Sequence, residues 1–326
     1  MKRILGRSGI EVSALGMGCW AIGGPFWEGE TPNGWGEVDD EESVRAIHAA
    51  LDHGITFFDT ANVYGAGHSE RVLGRALAGR RSKVVIATKF NAVFDEETCQ
   101  VTGSDKSPEG IRKACDDSLR RLNTDYIDLL QFHDNGYPAE QAAPVRDTLE
   151  ELVKAGKIRA YGWSTDFVDR ATVFEKGPKC TSIQFQLNVL DDNPAMIAFC
   201  EQHRLAAINR GPLAMGLLTG KYTASTKVTG ADVRSDKSPE WMKYFKNGLP
   251  NPEWLAMRDA IVGILTSNGR TVPQGALAWN WARSPQTLPI PGFRTVKQVE
   301  ENATALEFGP LTPEQMDQID TILKRT

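Results

Sequence analysis

Eight short apolar runs, each followed by a longer amphipathic stretch, succeed one another along the 326 residues, and this alternation restricts the fold more than any other feature. The runs predict strands over 14–19, 56–59, 84–88, 126–131, 158–163, 182–186, 205–209 and 287–291. Helical periodicity between them predicts helices over 40–53, 69–77, 107–122, 144–155, 166–175, 194–203 and a longer stretch, 251–281. Caps agree with these limits: Ser107-Pro108 and Asp192-Asn193-Pro194 open helices, and Gly54 and Gly156 end them. Continuous apolar strands are buried on both faces, which calls for a parallel sheet covered by helices.

A closed barrel and a doubly wound open sheet both satisfy that pattern. The strand count favours the barrel. So does the segment after the first strand: Gly16-Met17-Gly18-Cys19-Trp20 lacks the later glycine of a G-x-G-x-x-G turn and leads into a loop. The expected fold is an α/β (β/α)₈ TIM barrel, one domain over 1–326. A hairpin around Gly6-Arg7-Ser8-Gly9 is expected to plug its N-terminal end, and a helix to close the C-terminus.

Composition removes several functions. A net charge of -5 with no basic run gives no footprint for nucleic acid or an anionic membrane. No apolar run is long enough to span a bilayer, and the N-terminus has no uninterrupted apolar core of a signal peptide. Five cysteines without C-x-x-C spacing read as free thiols in a reducing compartment, so the expected location is cytoplasmic. The five histidines include no H-x-H pair, and His48, His53 and His203 fall in helical patterns; no metal site is expected.

The chemistry is concentrated where strands end. ITFFDTANVYG, KVVIATKF, YIDLLQFHD and AYGWSTD each begin apolar and finish polar. In a parallel barrel such ends converge on one mouth, where barrel active sites are built. Asp59, Lys89 and His133 close three of these strands, and Tyr64 lies a short turn past Asp59. A tyrosine is a poor acid at neutral pH, its ordinary pKa being about 10. An adjacent ammonium favours the phenolate, so Lys89 is expected to lower the Tyr64 pKa, with Asp59 holding Lys89 charged. Tyr64 then protonates a carbonyl oxygen or, in reverse, accepts an alcohol proton, and His133 orients the oxygen or relays a proton. Long excursions at 21–38, 135–143 and 217–250 are expected to build the substrate pocket, with Trp20, Trp27, Trp35 and Trp241 as contacts.

At these residues the chain resembles the aldo-keto reductase superfamily. The resemblance runs from GRSGIEVSALGMG to PLTPEQMDQID through FDTANVYGAGHSERVLGRAL, VVIATKF, SLRRLNTDYIDLLQFH, LVKAGKIRAYGWS, GPLAMGLLTGKY and IPGFRTVKQVEENATAL. It implies an NADP(H)-dependent oxidoreductase that interconverts a small-molecule carbonyl and alcohol, with Asp59, Tyr64, Lys89 and His133 as the catalytic four. Ser164 and Gln184 match the partners of the nicotinamide carboxamide, and Arg210 stands where many members stack an aromatic ring. Leu213, Gly216 and Lys221 match the loop that grips the pyrophosphate. Gly292, Phe293, Arg294, Gln298, Glu301 and Asn302 match the adenosine-binding segment, with Arg294 as candidate reader of the 2′-phosphate. Gln298 occupies a position where many members use Arg, so NAD(H) stays open as the alternative cofactor. Some relatives serve as cofactor-binding regulatory subunits with little turnover; the four intact residues favour the enzyme.

Overall fold

The structure is a computed structural model and describes residues 1–325. Its central sheet comprises β1 (Gly16–Gly18), β2 (Phe57–Asp59), β3 (Val85–Phe90), β4 (Ile127–Phe132), β5 (Ile158–Ser164), β6 (Cys180–Gln186), β7 (Ala206–Arg210) and β8 (Thr287–Pro289). Each strand pairs in parallel with the next. The ring closes just past β8, where Gly18 bridges Gly292 and the Gly18 N–H donates to the Pro291 carbonyl at 2.9 Å. A Cβ at position 18 would lie 2.8 Å from the Ile290 carbonyl oxygen, so glycine permits the two ends to meet.

The helices are α1 (Asp40–Asp52), α2 (His68–Ala76), α3 (Pro108–Leu122), α4 (Ala143–Lys154), α5 (Val168–Glu175), α6 (Pro194–His203), α7 (Pro252–Leu265), α8 (Val272–Arg283), α9 (Val296–Phe308) and α10 (Pro313–Ile322). Their apolar faces and the outward strand residues form one large core layer between barrel and helices, including Ile86, Leu130, Trp163 and Phe185. A separate cluster fills the barrel itself: Phe57, Val85, Ala87, Leu129, Ala160, Ala206, Ile208, Leu288 and Ile290. Leu5, Ile10 and Val12 of the N-terminal hairpin belong to that inner cluster. The hairpin pairs Lys2–Ile4 with Glu11–Ser13 and presses Gly6 against the starts of β6 and β7, at Thr181 and Ala206. It is the bottom plug of the barrel. Among the described residues no helix is long and apolar enough to cross a membrane.

One expectation needs correction, and one feature was not anticipated. The stretch 251–281 is not one helix: α7 ends at Leu265, Asn268 and Gly269 take φ of 60° and 81°, and Thr271 restarts the chain with a capping box to Gln274. A left-handed pair cannot continue a helix, and Asn-Gly adopts it cheaply. The sequence also concealed an excursion after β3. There Ala92–Asp95 and Gln100–Ser104 form a hairpin, and Trp27–Glu28 and Thr31–Pro32 from the loop after β1 add to it as a small four-stranded sheet.

Candidate active site

Strand alternation sorts the barrel interior by height. Two residues before Asp59, Lys89, Gln131 and Arg210 stand Phe57, Ala87, Leu129 and Ile208, all in the inner apolar cluster. The next inward side chain on each of these strands is polar, so a polar layer caps the apolar one at the C-terminal ends. Asp59 and Lys89 are 2% and 0% exposed there.

The Asp59 carboxylate accepts from Lys89 Nζ at 2.5 Å, from Gln131 Nε2 at 2.9 Å and from Gln184 Nε2 at 2.7 Å. Lys89 Nζ donates further to the Thr60 carbonyl at 2.8 Å and to Tyr64 Oη at 3.2 Å. An ammonium has three N–H donors, and these three acceptors use them all. Tyr64 Oη therefore accepts from Lys89, and its own O–H is left to point into the cavity. Backbone bonds from Thr60 N to Ala87 O and from Asn62 N to Lys89 O run the chain alongside β3 and carry Tyr64 over Lys89. The chain then turns through Gly65, Ala66 and Gly67, all at positive φ, into α2. Gly65 is required: a Cβ there would lie 1.7 Å from the Gly23 carbonyl oxygen. Trp20 stacks on Tyr64, with ring centroids 5.7 Å apart, and His133 stands edge-on at 6.0 Å. The His133 N–H donates to the Phe90 carbonyl, which fixes it at the end of β4.

Burial alone would lower the Lys89 ammonium, but Asp59 and Tyr64 outweigh it and hold Lys89 above its usual value. For Tyr64 the balance is reversed. Desolvation drives the phenol above its usual value, and the attraction to Lys89 offsets this only in part. This corrects the expectation that Lys89 would lower the Tyr64 pKa overall: withdrawal from water is the larger effect. Burial, then Lys89 and Arg210, keep His133 well below the usual histidine value, so its imidazole is neutral at neutral pH.

One cavity of about 890 Å³ runs from these residues across the barrel mouth. Asp59, Tyr64, His133, Ser164, Gln184 and Arg210 line its deep end, while Lys89 lies beneath it. Trp20, Trp35 and Trp241 form an aromatic wall, with Trp20 and Trp35 meeting edge to face at 5.4 Å. Leu213, Gly216 and Lys221 line the next portion, where Ala214, Met215 and Gly216 all take positive φ and bend the backbone sharply. Gly292, Phe293, Arg294 and Gln298 line the far end, at the start of α9. The excursions after β1 and β7 meet above: Val233 N donates to Gly34 O, and Arg234 packs over the Trp35 ring at 4.4 Å. Arg294 ties this arch down by donating to the carbonyls of Trp35 and Glu37.

Besides Lys89, three residues singled out in the sequence do not line the cavity. Trp27 lies in a small strand whose neighbours Phe26 and Glu28 face inward, so period-two alternation turns Trp27 away. Glu301 and Asn302 sit farther along α9; Asn302 is buried, and the Glu301 carbonyl accepts from Gln274. Gln184, singled out as a cofactor partner, spends its amide nitrogen on Asp59 and Gln131. Gln131, Asp166 and Arg234 went unnoticed in the sequence. Gln131 and Asp166 were detectable by alternation alone, two residues before His133 and two after Ser164. Among the described residues no group of three His, Cys, Asp or Glu side chains is placed to hold a metal ion.

Comparison with known proteins identifies the family of the chain. The Aldo/keto reductase family model matches residues 14–324. The chain is similar to aldo-keto reductase YhdN of Bacillus subtilis, at 33% identity over 98% of this chain and 92% of that protein. It superposes on a glycerol dehydrogenase from Gluconobacter oxydans with a TM-score of 0.81, at 35% identity and over 99% and 95% of the two chains. An aldo/keto reductase from Klebsiella pneumoniae solved with NADP and acetate gives a TM-score of 0.72 at 26% identity, over 99% and 95% of the chains. The chain belongs to the aldo/keto reductase family.

Proposed function

We propose that this protein is an NADP(H)-dependent oxidoreductase that interconverts a carbonyl and an alcohol, with Tyr64 as the general acid and base. The observation that carries the reading is the Tyr64 hydroxyl, held 3.2 Å from the Lys89 ammonium on the wall of the cavity. The donor set fits a dinucleotide. Lys221, Arg294 and the N-terminus of α9 offer positive potential toward one end, and the proton donor stands at the other. Ser164 is 3% exposed and opens onto the cavity beside Gln184, where a carboxamide finds hydrogen-bonding partners.

When bound, the nicotinamide supplies or accepts the hydride, and the protein's residues manage the proton. Tyr64 O–H gives its proton to the carbonyl oxygen as negative charge develops there. The phenolate left behind accepts from Lys89, whose charge Asp59 secures. Neutral His133 offers a ring N–H that orients the oxygen toward Tyr64. Proton transfer of this kind contributes about 10²–10⁴-fold. Reduction consumes the proton of a phenol that burial keeps protonated. The test is NADPH oxidation by the purified protein against a panel of reactive aldehydes, with glycerol and NADP⁺ as the reverse assay. Nucleotide binding without turnover on any of them would instead favour a cofactor-binding regulatory role.

A further inference from the structure

Arg210 ends β7 at the deep end of the cavity, beside His133, Ser164 and Gln184. Its guanidinium is not free. It donates to the Asp166 carboxylate in a short ion pair and to Gln186 Oε1 at 3.2 Å. Asp166 is committed as well: Oδ1 accepts from the Gln186 backbone N–H at 2.7 Å, and Oδ2 accepts from Asn135 Nδ2 at 3.1 Å. Its own N–H donates to Asn135 Oδ1 at 2.8 Å. One carboxylate thus links the ends of β4, β5, β6 and β7 and fixes the direction of the cation among them.

We propose that Asp166 is a positioning residue that balances the charge of Arg210 beside the nicotinamide and so sets the relative affinity for the oxidised and reduced cofactor. The inference rests on the NADP(H) reading above. A carbonyl carbon whose oxygen is held by Tyr64 must receive hydride from a ring in the same part of the cavity, and Ser164, Gln184 and Arg210 line that part. The reduced ring is neutral and the oxidised ring carries a positive charge. An unbalanced guanidinium would repel only the oxidised form, and the two side chains, 31% and 26% exposed, are far enough from bulk water for that difference to be felt. Arg210 already acts on its surroundings: after burial and Lys89, it is a further cause of the low His133 value.

The experiment is calorimetric titration of NADP⁺ and of NADPH, without substrate, into wild-type protein and three variants. Asp166→Asn keeps the size and hydrogen-bonding shape and removes the negative charge. Its affinity for NADP⁺ is expected to fall by about tenfold more than its affinity for NADPH, the scale of two unit charges at short range in a half-shielded site. Asp166→Glu restores the charge and is expected to keep the wild-type ratio. Arg210→Met removes the cation and is expected to shift the ratio the other way, toward NADP⁺. Equal losses for both nucleotides in Asp166→Asn would show a merely structural role and overturn the proposal. If that variant does not fold, an unchanged ratio in Arg210→Met overturns it alone. Wild-type protein that binds neither nucleotide would overturn the cofactor reading itself, whereas binding of both with unmoved ratios overturns only the role of Asp166.

Discussion

Lys89 Nζ lies 2.5 Å from Asp59 Oδ1, with the two side chains 0% and 3% exposed. Two charges this deep are expensive to desolvate, and the pair persists because neighbours complete it: Thr60 and Tyr64 take the remaining ammonium donors, and Gln131 and Gln184 donate to the carboxylate. Breaking such a pair costs more than forming it gains, since one charge stays behind.

Lys89→Met is therefore expected to destabilise the fold by about 3–5 kcal/mol, the usual cost of stranding a buried charge. Urea denaturation measures it. The double change Lys89→Met with Asp59→Leu is expected to recover much of that loss, because no charge is left unpaired. A double variant no more stable than the single would show that the ion pair is not the source.

The pH dependence follows from burial. An ordinary histidine titrates near about 6.5. His133 is held well below that by desolvation, then by Lys89 and Arg210, so it stays neutral above about pH 6.5 and should leave no inflection there in kcat/KM for reduction. Tyr64 is held above its usual value, so the acid stays protonated through the neutral range and reduction runs flat. With Tyr64 as the proposed base, alcohol oxidation would draw on the phenolate and is expected to climb toward alkaline pH. The unfolded chain binds a histidine proton that the native state refuses, so stability falls as pH drops below about 6.5 toward the native value. Denaturation as a function of pH checks this, and His133→Gln should flatten the slope. A reduction profile with an inflection near 6.5 that vanishes in His133→Gln would contradict the assignment.

Much of this was legible in the sequence for a physical reason. Strands buried on both faces must be apolar throughout, and the single inward residue that breaks the run, as in ITFFD or VVIATK, marks where the barrel opens. Asp59 and Lys89 were visible for that reason. Trp27 misled because an aromatic in a loop signals packing without its direction; only the small sheet formed with the hairpin after β3 shows which face it takes. The break in 251–281 was hidden by apolar residues on both sides of Asn268-Gly269 that all meet the same core. The sign of the Tyr64 shift was hidden differently. Spacing in the chain suggests a neighbouring charge but not the depth at which the pair is buried, and depth decides the balance.

At the far end of the cavity, Arg294→Ala is expected to weaken NADPH binding by about tenfold or more, on the scale of one charge-assisted contact, and NADH binding much less. The guanidinium is held in place by the carbonyls of Trp35 and Glu37 while it lines the cavity. Fluorescence titration with both cofactors makes the comparison. Equal losses would mean that Arg294 serves only to anchor the arch over the cavity and does not read the 2′-phosphate.

The central claim is that Tyr64 is the proton donor. Tyr64→Phe removes one oxygen and keeps the ring that stacks on Trp20. Packing and NADPH affinity should survive, while hydride transfer loses its acid. The decisive measurement is the single-turnover rate of NADPH oxidation, since slow cofactor release would otherwise mask a chemical defect. The expected result is a fall of about 10²–10⁴-fold in that rate with NADPH affinity nearly unchanged. Lys89→Met combined with Tyr64→Phe should be hardly slower than Tyr64→Phe alone, because both disable one proton-transfer unit. Near-normal single-turnover hydride transfer in Tyr64→Phe would contradict the account and leave His133 as the next residue to test.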